Sequence, residues 1–250
     1  MAFTSALITG ASSGIGATLA RHLAAGGTKV VLAARREEAL LELEAEITAA
    51  GGKAEIQVLD VSDPEHTEAV VRGLDERLDF DLVIANAGVG KERWAGKLSW
   101  EDCRQVIMVN VCGAVATLTG AIPGMIARGH GHLVGISSVA QYRGLPRNAS
   151  YSASKAFLST FLESMRIDLH GTGVSVTDVR PGFVDTPMSA SVKQKFLEVD
   201  TDYAAKTILN AVDHRRGVLV FPPGMAALGK VLDVMPRFIY EPAMRRGMKK

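Results

Sequence analysis

The chain has 250 residues, of which 47% are hydrophobic and 22% charged, a composition typical of one large globular domain. Its 28 basic and 27 acidic residues leave a net charge of +1. This balance provides no general attraction for polyanions, so we predict no nucleic-acid partner.

Short apolar runs alternate with longer helical patterns along most of the chain. The predicted strands cover residues 6–8, 29–34, 54–59, 81–85, 132–137, 174–179 and 218–221. The predicted helices cover residues 14–25, 37–50, 64–78, 99–128, 151–169 and 201–212. Asp63 is the expected N-cap of the third helix, and the fourth is expected to bend or end near Gly120 and Pro123.

Continuously apolar strands that alternate with helices indicate a parallel sheet covered by helices on both faces. The predicted fold class is therefore α/β, with a single Rossmann-type doubly wound domain over residues 1–223 and a seven-stranded, mainly parallel sheet. Residues 224–250 form a C-terminal extension. Ligands of such a sheet bind at the carboxyl ends of its strands.

The stretch TGASSGIG, residues 9–16, lies between the first predicted strand and the first helix. Gly10, Gly14 and Gly16 suit a tight turn, close backbone approach to a pyrophosphate, and packing of helix on sheet. The free N–H groups at the helix start favour an anion. The spacing differs from G-x-G-x-x-G, and no Walker A lysine follows. The predicted phosphate site also includes the residues between these glycines, Ser12, Ser13 and Ile15.

The same residues match G-x-S-x-G, the nucleophile turn of serine hydrolases, which would make Ser12 a nucleophile. Such a triad needs an acid and then a histidine downstream. The last histidine, His214, lies in an Asp-His-Arg-Arg run beside a predicted strand and is more consistent with a solvated position. The dinucleotide interpretation is therefore preferred.

The end of the second predicted strand indicates which dinucleotide is bound. An acid at this position accepts a hydrogen bond from the ribose 2′-OH of NAD, whereas an arginine suits the 2′-phosphate of NADP. Arg35 and Arg36 follow directly after this strand, and no carboxylate stands at its tip. We predict a preference for NADP(H) over NAD(H), with Arg35 as the stronger candidate for the phosphate contact.

Tyr151 and Lys155 are four residues apart at the start of a predicted helix and share one face of it. An ammonium near a phenol favours the phenolate, so we expect a lowered pKa and a role in acid–base chemistry for Tyr151. Ser138, at the end of the fifth predicted strand, could hold a carbonyl oxygen beside that phenol.

Several patterns occur in order: Thr9-Gly10-x-x-x-Gly14-x-Gly16, Asn86-Ala87-Gly88, Asn110, Ser137-Ser138, Tyr151-x-x-x-Lys155 and Pro181-Gly182. With them, residues 4–222 resemble a short-chain dehydrogenase/reductase of the NADP-preferring branch. The departures are small. Ala85 stands where an asparagine is common, Gln141 where a glycine is common, and Tyr142 lacks a lysine four residues later.

The resemblance implies a catalytic group of Asn110, Ser138, Tyr151 and Lys155. In that family Tyr151 would exchange the substrate hydroxyl proton, and Ser138 would orient the substrate oxygen. Lys155 would bind the nicotinamide ribose and depress the pKa of the tyrosine, and Asn110 would hold a water connecting Lys155 to solvent.

The resemblance also implies cofactor contacts at three strand ends. Asp60 and Val61 would contact the adenine, and Asn86, Ala87 and Gly88 would border the adenosine ribose. The nicotinamide would lie against the segment from Pro181 to Thr186, with Gly182, Val184 and Thr186 in contact. No metal site is predicted.

The predicted function is an NADP(H)-dependent oxidoreductase that interconverts a carbonyl and an alcohol, with carbonyl reduction as the favoured direction. An apolar ketone or aldehyde is favoured by the mixed apolar and basic loops at residues 90–94, 141–148 and 183–196. The alternative is an NADP(H)-binding regulatory or scaffold protein with little turnover.

The extension at residues 224–250 interleaves apolar and basic residues, ending in Lys249 and Lys250. A lid over the substrate, a basic amphipathic segment on a membrane surface, a dimer contact and plain terminal packing all fit this pattern. We expect a homo-oligomer, a dimer or tetramer.

Cys103 and Cys112 lie nine residues apart in one predicted helix, too far apart to bridge, and the N-terminus does not resemble a signal peptide. The sequence contains no run of about 18 apolar residues, so we do not expect a helix that spans a membrane. A cytoplasmic location is therefore predicted.

Overall fold

The protein is described here by a computed structural model covering residues 3–190 and 196–246. Its strands form one sheet, with neighbours in the order β3-β2-β1-β4-β5-β6-β7, and each neighbouring pair is parallel. The strands are β1 (Ser5–Thr9), β2 (Lys29–Ala34), β3 (Lys53–Val58), β4 (Leu82–Ala85), β5 (Gly131–Ile136), β6 (Val174–Pro181) and β7 (Val218–Phe221). The predicted seven-stranded Rossmann-type sheet is confirmed.

The helices follow the strands as a doubly wound fold requires. They are α1 (Gly14–Ala25), α2 (Glu37–Ala49), α3 (Pro64–Leu78), α4 (Trp100–Ile107), α5 (Ala114–Arg128), α6 (Ala149–Asp168), α7 (Thr201–Asp213), α8 (Pro223–Val234) and α9 (Arg237–Arg246). Two short 3-10 helices cover Ala95–Lys97 and Val139–Gln141. Asp63 caps α3 as predicted, because its carboxylate accepts from the backbone N–H of His66 at 3.0 Å.

Successive side chains of each strand are buried on opposite faces of the sheet. Ala6 and Ile8 of β1 belong to a core with α1, α2 and α7, whereas Leu7 belongs to a second core with α3, α5 and α6. Burial of each such leucine or isoleucine side chain stabilises the fold by about 1.5–3 kcal/mol. The strand order reverses between β1 and β4, so a ligand crevice is expected at the carboxyl ends of these two strands.

The helical stretch Trp100–Arg128 differs from the prediction. Pro123 lies inside α5 and does not end it. The irregularity lies earlier, where Met108–Gly113 forms a π-helical segment between α4 and α5. Within the described residues, Trp100–Arg128 is the one helix long and apolar enough to cross a membrane, and 56% of its most apolar window is buried inside the protein.

The structure gives partial information on the remaining predicted segments. Cys103 and Cys112 are both free, as expected from their spacing. Residues 191–195 of the predicted substrate loop, and Lys249 and Lys250 of the extension, lie outside the described residues. The described part of the extension consists of α8 and α9, which follow β7 directly.

Candidate active site

The glycine-rich loop between β1 and α1 contains two left-handed residues, Gly10 at φ +69° and Gly14 at φ +57°. A Cβ at Gly10 would lie 2.8 Å from the Cα of Ala87, and one at Gly16 would lie 2.5 Å from the Gly10 carbonyl oxygen. Side chains at these positions would therefore force the backbones apart. The loop is closely packed, and the first N–H groups of α1 face the crevice beyond the sheet.

Asn86, after β4, holds this loop in place. Its Nδ2 donates to the carbonyl oxygens of Thr9 at 2.9 Å and Gly10 at 3.3 Å. The hydroxyl oxygen of Thr9 in turn accepts from the backbone N–H groups of Asn86 at 3.2 Å and Ala87 at 3.3 Å. The resemblance placed Asn86 and Ala87 beside the ribose, and the structure adds that they fix the phosphate loop to the neighbouring strand.

The two arginines after β2 have different partners. Arg36 donates from Nη2 to the hydroxyl oxygens of Ser12 and Ser13, each at 3.0 Å. Arg35 forms a longer ion pair of 3.8 Å with Asp60, and both side chains are about half exposed. Arg36 therefore contacts the glycine loop directly, although the sequence favoured Arg35 for the phosphate contact.

Tyr151, Lys155 and Ser138 meet where α6 passes the end of β5. Lys155 Nζ lies 5.7 Å from the centroid of the Tyr151 ring and donates to the carbonyl oxygen of Ile136 at 2.8 Å. Ser138 Oγ accepts from the N–H of Ala140 at 3.1 Å and donates to the carbonyl oxygen of Pro181 at 3.4 Å, and the same hydroxyl interacts with the Tyr151 phenol. A tyrosine, a serine and a buried lysine therefore share one site.

Burial controls the titration of both groups on α6. It lowers the pKa of Lys155 to about 8, an effect that the nearby carboxylate of Asp178 opposes. Burial raises the pKa of Tyr151, and the hydrogen bond with Ser138 opposes that rise. The expected lowering of the Tyr151 pKa is therefore wrong for this structure, because the cost of burying a phenolate exceeds the stabilisation provided by its neighbours.

Asn110 lies in the π-helical segment, within the crevice behind Lys155. Its Oδ1 accepts from the N–H of Val89 at 2.8 Å, and its Nδ2 donates to the carbonyl oxygen of Val89 at 2.9 Å and to Ser154 Oγ at 3.1 Å. A Cβ at Gly88 would lie 3.5 Å from Asn110 Oδ1 and 3.6 Å from Lys155 Nζ. The π-helical segment therefore places Asn110 next to Gly88, where Lys155 of α6 also lies.

The segment after β6 closes the crevice next to the glycine loop. Gly182 donates its N–H to the carbonyl oxygen of Phe221 at 2.8 Å, which fixes the end of β6 to β7. Val184 is buried, and a Cβ at Gly14 would lie 3.1 Å from Thr186 Cγ2. Val61, on the other side, lies under Gly113 of the π-helical segment.

A buried ionic group beneath the site was not predicted from the sequence. Asp178, 1% exposed, accepts from Arg180 Nε at 2.7 Å and from the hydroxyl of Ser137, the neighbour of Ser138. A sequence signal was available, because an acid and a base two residues apart interrupt the apolar strand VSVTDVRP. Charged residues are almost never fully buried unless they are paired.

The serine-hydrolase alternative does not fit this geometry. Ser12 follows β1 at the carboxyl edge of the sheet, where Arg36 is its partner. His214 precedes β7 at the opposite edge, is exposed, and contacts the carbonyl oxygen of Asn210 in its own helix at 2.7 Å. His214 therefore cannot act as the base that activates Ser12.

A parallel doubly wound sheet with a glycine loop at its switch point and a Tyr–Lys pair beside it defines the class of dinucleotide-binding oxidoreductases. The family model for short chain dehydrogenases matches residues 4–196. The chain belongs to the short-chain dehydrogenase/reductase family, whose members bind nicotinamide cofactors.

Relatives match most of the chain. It is 44% identical over 249 residues to an uncharacterized oxidoreductase of Myxococcus xanthus, with 98% of each chain covered. It is 37% identical over 209 residues to the NADP-dependent 3-hydroxy acid dehydrogenase YdfG of Escherichia coli K12, with 82% of each covered.

Solved structures share the fold over nearly the whole chain. A short-chain dehydrogenase from Sphingobium yanoikuyae in complex with NADPH has a TM-score of 0.83 and 25% identity, and the match covers 99% of this chain and 96% of that one. A short chain dehydrogenase/reductase from Burkholderia phymatum in complex with NAD has a TM-score of 0.84 and 26% identity, with 91% and 92% covered.

Proposed function

We propose that this protein is an NADP(H)-dependent oxidoreductase that interconverts an apolar ketone or aldehyde and its alcohol, with reduction as the working direction. The observation that carries the proposal is the convergence of Tyr151, Ser138, Lys155 and Asn110 beside the glycine loop, at one edge of the sheet. These are the residues that the family resemblance assigns to proton transfer.

The crevice fits a dinucleotide phosphate. Gly10 and Gly16 let the loop pack closely against Ala87 and against itself, because a Cβ at either position would clash with backbone, and the start of α1 provides free N–H donors. Arg35 and Arg36 provide two cations at the tip of β2, where a 2′-phosphate would lie. Bound NADPH would supply the hydride for the substrate carbon, and the protein's own residues would bind, orient and protonate.

The family resemblance gives each side chain of the catalytic group a role in handling the proton, and the position of each side chain supports this proposal. The Tyr151 phenol, protonated over the working pH range because burial raises its pKa, donates its proton to the substrate oxygen. The Ser138 hydroxyl orients that oxygen beside the phenol. The Lys155 ammonium stabilises the phenolate that develops, and Asn110 connects Lys155 to solvent through a water molecule.

An uncharged substrate is supported by the loop after β4. Gly90 lies over the Tyr151 ring, with a Cβ position 3.8 Å from Cδ2 of that ring and 4.0 Å from the sulfur of Met188. The loop's cations, Lys91 and Arg93, both pair with the carboxylate of Asp102, at 2.5 and 3.4 Å. Asp102 therefore draws both cations toward itself and offsets one of their two charges, and the groups nearest to Gly90 are the Tyr151 ring and the Met188 sulfur.

A substrate screen that measures carbonyl reduction and alcohol oxidation in parallel tests the proposal. Ketones and aldehydes with NADPH, and secondary alcohols and 3-hydroxy acids with NADP⁺, are followed by absorbance of the reduced cofactor. We expect turnover of apolar carbonyls. Turnover of 3-hydroxy acids alone would favour the substrate class named for the Escherichia coli relative. Cofactor binding without any turnover would support a regulatory or scaffold protein instead.

Exchanging the charge at the tip of β2 tests the cofactor preference. We expect Arg35→Asp and, separately, Arg36→Ala to lower the ratio of kcat/KM with NADPH to kcat/KM with NADH by about 10-fold or more, since a charge-assisted hydrogen bond contributes about 1.5–3 kcal/mol. Arg72→Asp, an exposed change on α3, is the control. An unchanged ratio in both variants would show that neither arginine selects the cofactor.

We also propose a homo-oligomer in the cytoplasm. Large apolar side chains on α4 and α6 are exposed, with Trp100 and Ile167 both 70% accessible and Phe157 stacked on Phe161. Such exposed apolar groups on adjacent helices are typical of a surface that pairs with another copy.

The half-buried, unbridged Cys103 and Cys112 support a reducing compartment. Membrane-surface contact by the extension stays a prediction.

A further inference from the structure

The loop between Ser138 and Tyr151 carries an arginine whose side chain is directed at the C-terminal extension. Arg143 donates from Nε to the carbonyl oxygen of Leu232 at 2.8 Å, and from Nη2 to those of Asp233, at 3.2 Å, and Met235. The last carbonyls of a helix have no partner within the helix. Arg143 therefore caps the C-terminus of α8 from a different part of the chain.

A second contact joins the same loop to α9. The hydroxyl of Tyr240, a residue only 7% exposed, donates to the carbonyl oxygen of Gly144 at 2.9 Å. The Arg143 guanidinium lies 5.5 Å from the centroid of the Tyr240 ring, within the range of a cation–π contact. Both helices of the extension are therefore attached to one short stretch of loop.

The middle of α8 is shaped to receive that loop. A Cβ at Gly229 would lie 2.3 Å from Cε2 of Tyr142, so the aromatic ring lies directly on the helix backbone. Glycine within a helix costs about 1 kcal/mol relative to alanine, which this close packing explains. At the other end of the helix, a Cβ at Gly182 would lie 2.8 Å from Cγ of Met225. α8 thus spans from the proposed nicotinamide segment to the loop.

The same loop is also attached to the residues around Ser138 and Tyr151. Arg180 donates to the Tyr142 hydroxyl at 3.4 Å and also holds Asp178, which binds Ser137 beside Ser138. Toward Tyr151, the N–H of Leu145 donates to Ser152 Oγ at 3.3 Å. The loop therefore connects the extension to both ends of the proton-transfer group.

We propose that Arg143 is a positioning residue, which fastens α8 and α9 onto the loop at residues 139–148 so that the extension completes one wall of the substrate site. The proposal rests on the carbonyl–alcohol function proposed above for that site. Of the roles predicted for the extension, this proposal is nearest to the lid over the substrate, with the extension as a fixed wall instead of a moving cover. The outward-facing Val234 and Phe238, about 80% exposed, take no part in this contact.

The test compares Arg143→Met with Arg245→Met, which removes a cation from the same extension and breaks an exposed pair with Glu241. Hydrogen exchange of the amides at 139–147 is measured without substrate. We expect exchange there to accelerate about 10-fold in Arg143→Met, because the hydrogen bonds from Arg143 to the end of α8 are lost, and to remain unchanged in Arg245→Met.

Steady-state kinetics separate positioning from general destabilisation. Arg143→Met should raise KM for the carbonyl about 10-fold with kcat within about 3-fold and an unchanged NADPH dissociation constant, because wall contacts bind substrate and transition state alike. Tyr240→Phe should also accelerate hydrogen exchange of the loop and raise KM for the carbonyl, but by smaller factors than Arg143→Met. The double variant should fall short of the sum of the two effects, because the two side chains contact each other and attach the same loop to the extension.

The outcomes are distinguishable. Unchanged loop exchange in Arg143→Met overturns the proposal, as does an equal KM change in Arg245→Met. A change in oligomer size or in binding to phosphatidylserine vesicles, with loop exchange unaffected, would assign the extension to a dimer or membrane contact. If the wild type turns over no carbonyl, the proposed function fails, and the exchange measurement still decides whether Arg143 fastens the loop.

Discussion

Tyr151→Phe should lower kcat for carbonyl reduction by about 1,000-fold, within the range of general acid catalysis by a positioned side chain. The substitution removes one oxygen, the proposed proton donor, and leaves the ring in contact with its neighbours. The Lys155 ammonium 5.7 Å from the ring centroid and the glycine loop are untouched. The NADPH dissociation constant should therefore stay within about 3-fold of wild type, as measured by cofactor fluorescence.

Tyr203→Phe is the matched control for this variant, because Tyr203 lies on α7 with its side chain partly exposed and outside the crevice. It should retain full activity. Tyr151→Phe with more than about a tenth of wild-type kcat would contradict the proposed role, because loss of a general acid costs at least about 100-fold. Lost NADPH binding in Tyr151→Phe would instead indicate a structural contribution of the hydroxyl.

The strands were predictable from the sequence because of how parallel sheets are built. Both faces are covered, so each strand is a short apolar run, such as Lys29–Ala34 and Val218–Phe221, whose observed bounds equal the predicted ones. The carboxyl edge was predictable for the same reason, because the glycines and polar residues that follow these runs must meet at one edge of the sheet. The predicted functional residues therefore converge in the structure.

The course of the long helix was not predictable. A proline within a helical pattern usually breaks or kinks the helix, yet packing between α3 and the sheet keeps α5 continuous through Pro123. The π-helical segment around Asn110 has no composition signal of its own. It depends on contacts of Asn110 with Val89, 21 residues earlier in the chain, and with Ser154, 44 residues later.

Side-chain partners that depend on tertiary packing could not be predicted from the sequence either. The direction of the Tyr151 pKa depends on how deeply α6 buries the phenol, which spacing does not reveal. The partner of Arg143 is the end of a helix 89 residues later in the chain. Adjacent arginines at 35 and 36 look equivalent as sequence, whereas only Arg36 donates to Ser12 and Ser13.

Lys155→Met should lower kcat/KM for carbonyl reduction at pH 7 by about 100-fold and change its pH dependence. Burial lowers the pKa of Lys155 from 10.5 to about 8, so the ammonium predominates below pH 8 and the neutral amine above it. Only the ammonium stabilises the phenolate that Tyr151 becomes after donating its proton. Wild-type kcat/KM should therefore be flat below pH 8 and fall about 10-fold per pH unit above it.

In Lys155→Met this alkaline limb should be absent between pH 6 and 9, because the remaining proton donor is a phenol whose pKa burial raises above its usual value of 10.0. Lys206→Met, on the exposed face of α7 and paired with Asp202, is the control and should keep the wild-type limb. A limb near pH 8 that persists in Lys155→Met would show that another group titrates there. The ammonium would then contribute no stabilisation to the phenolate, and the buried position of Lys155 would serve cofactor binding alone.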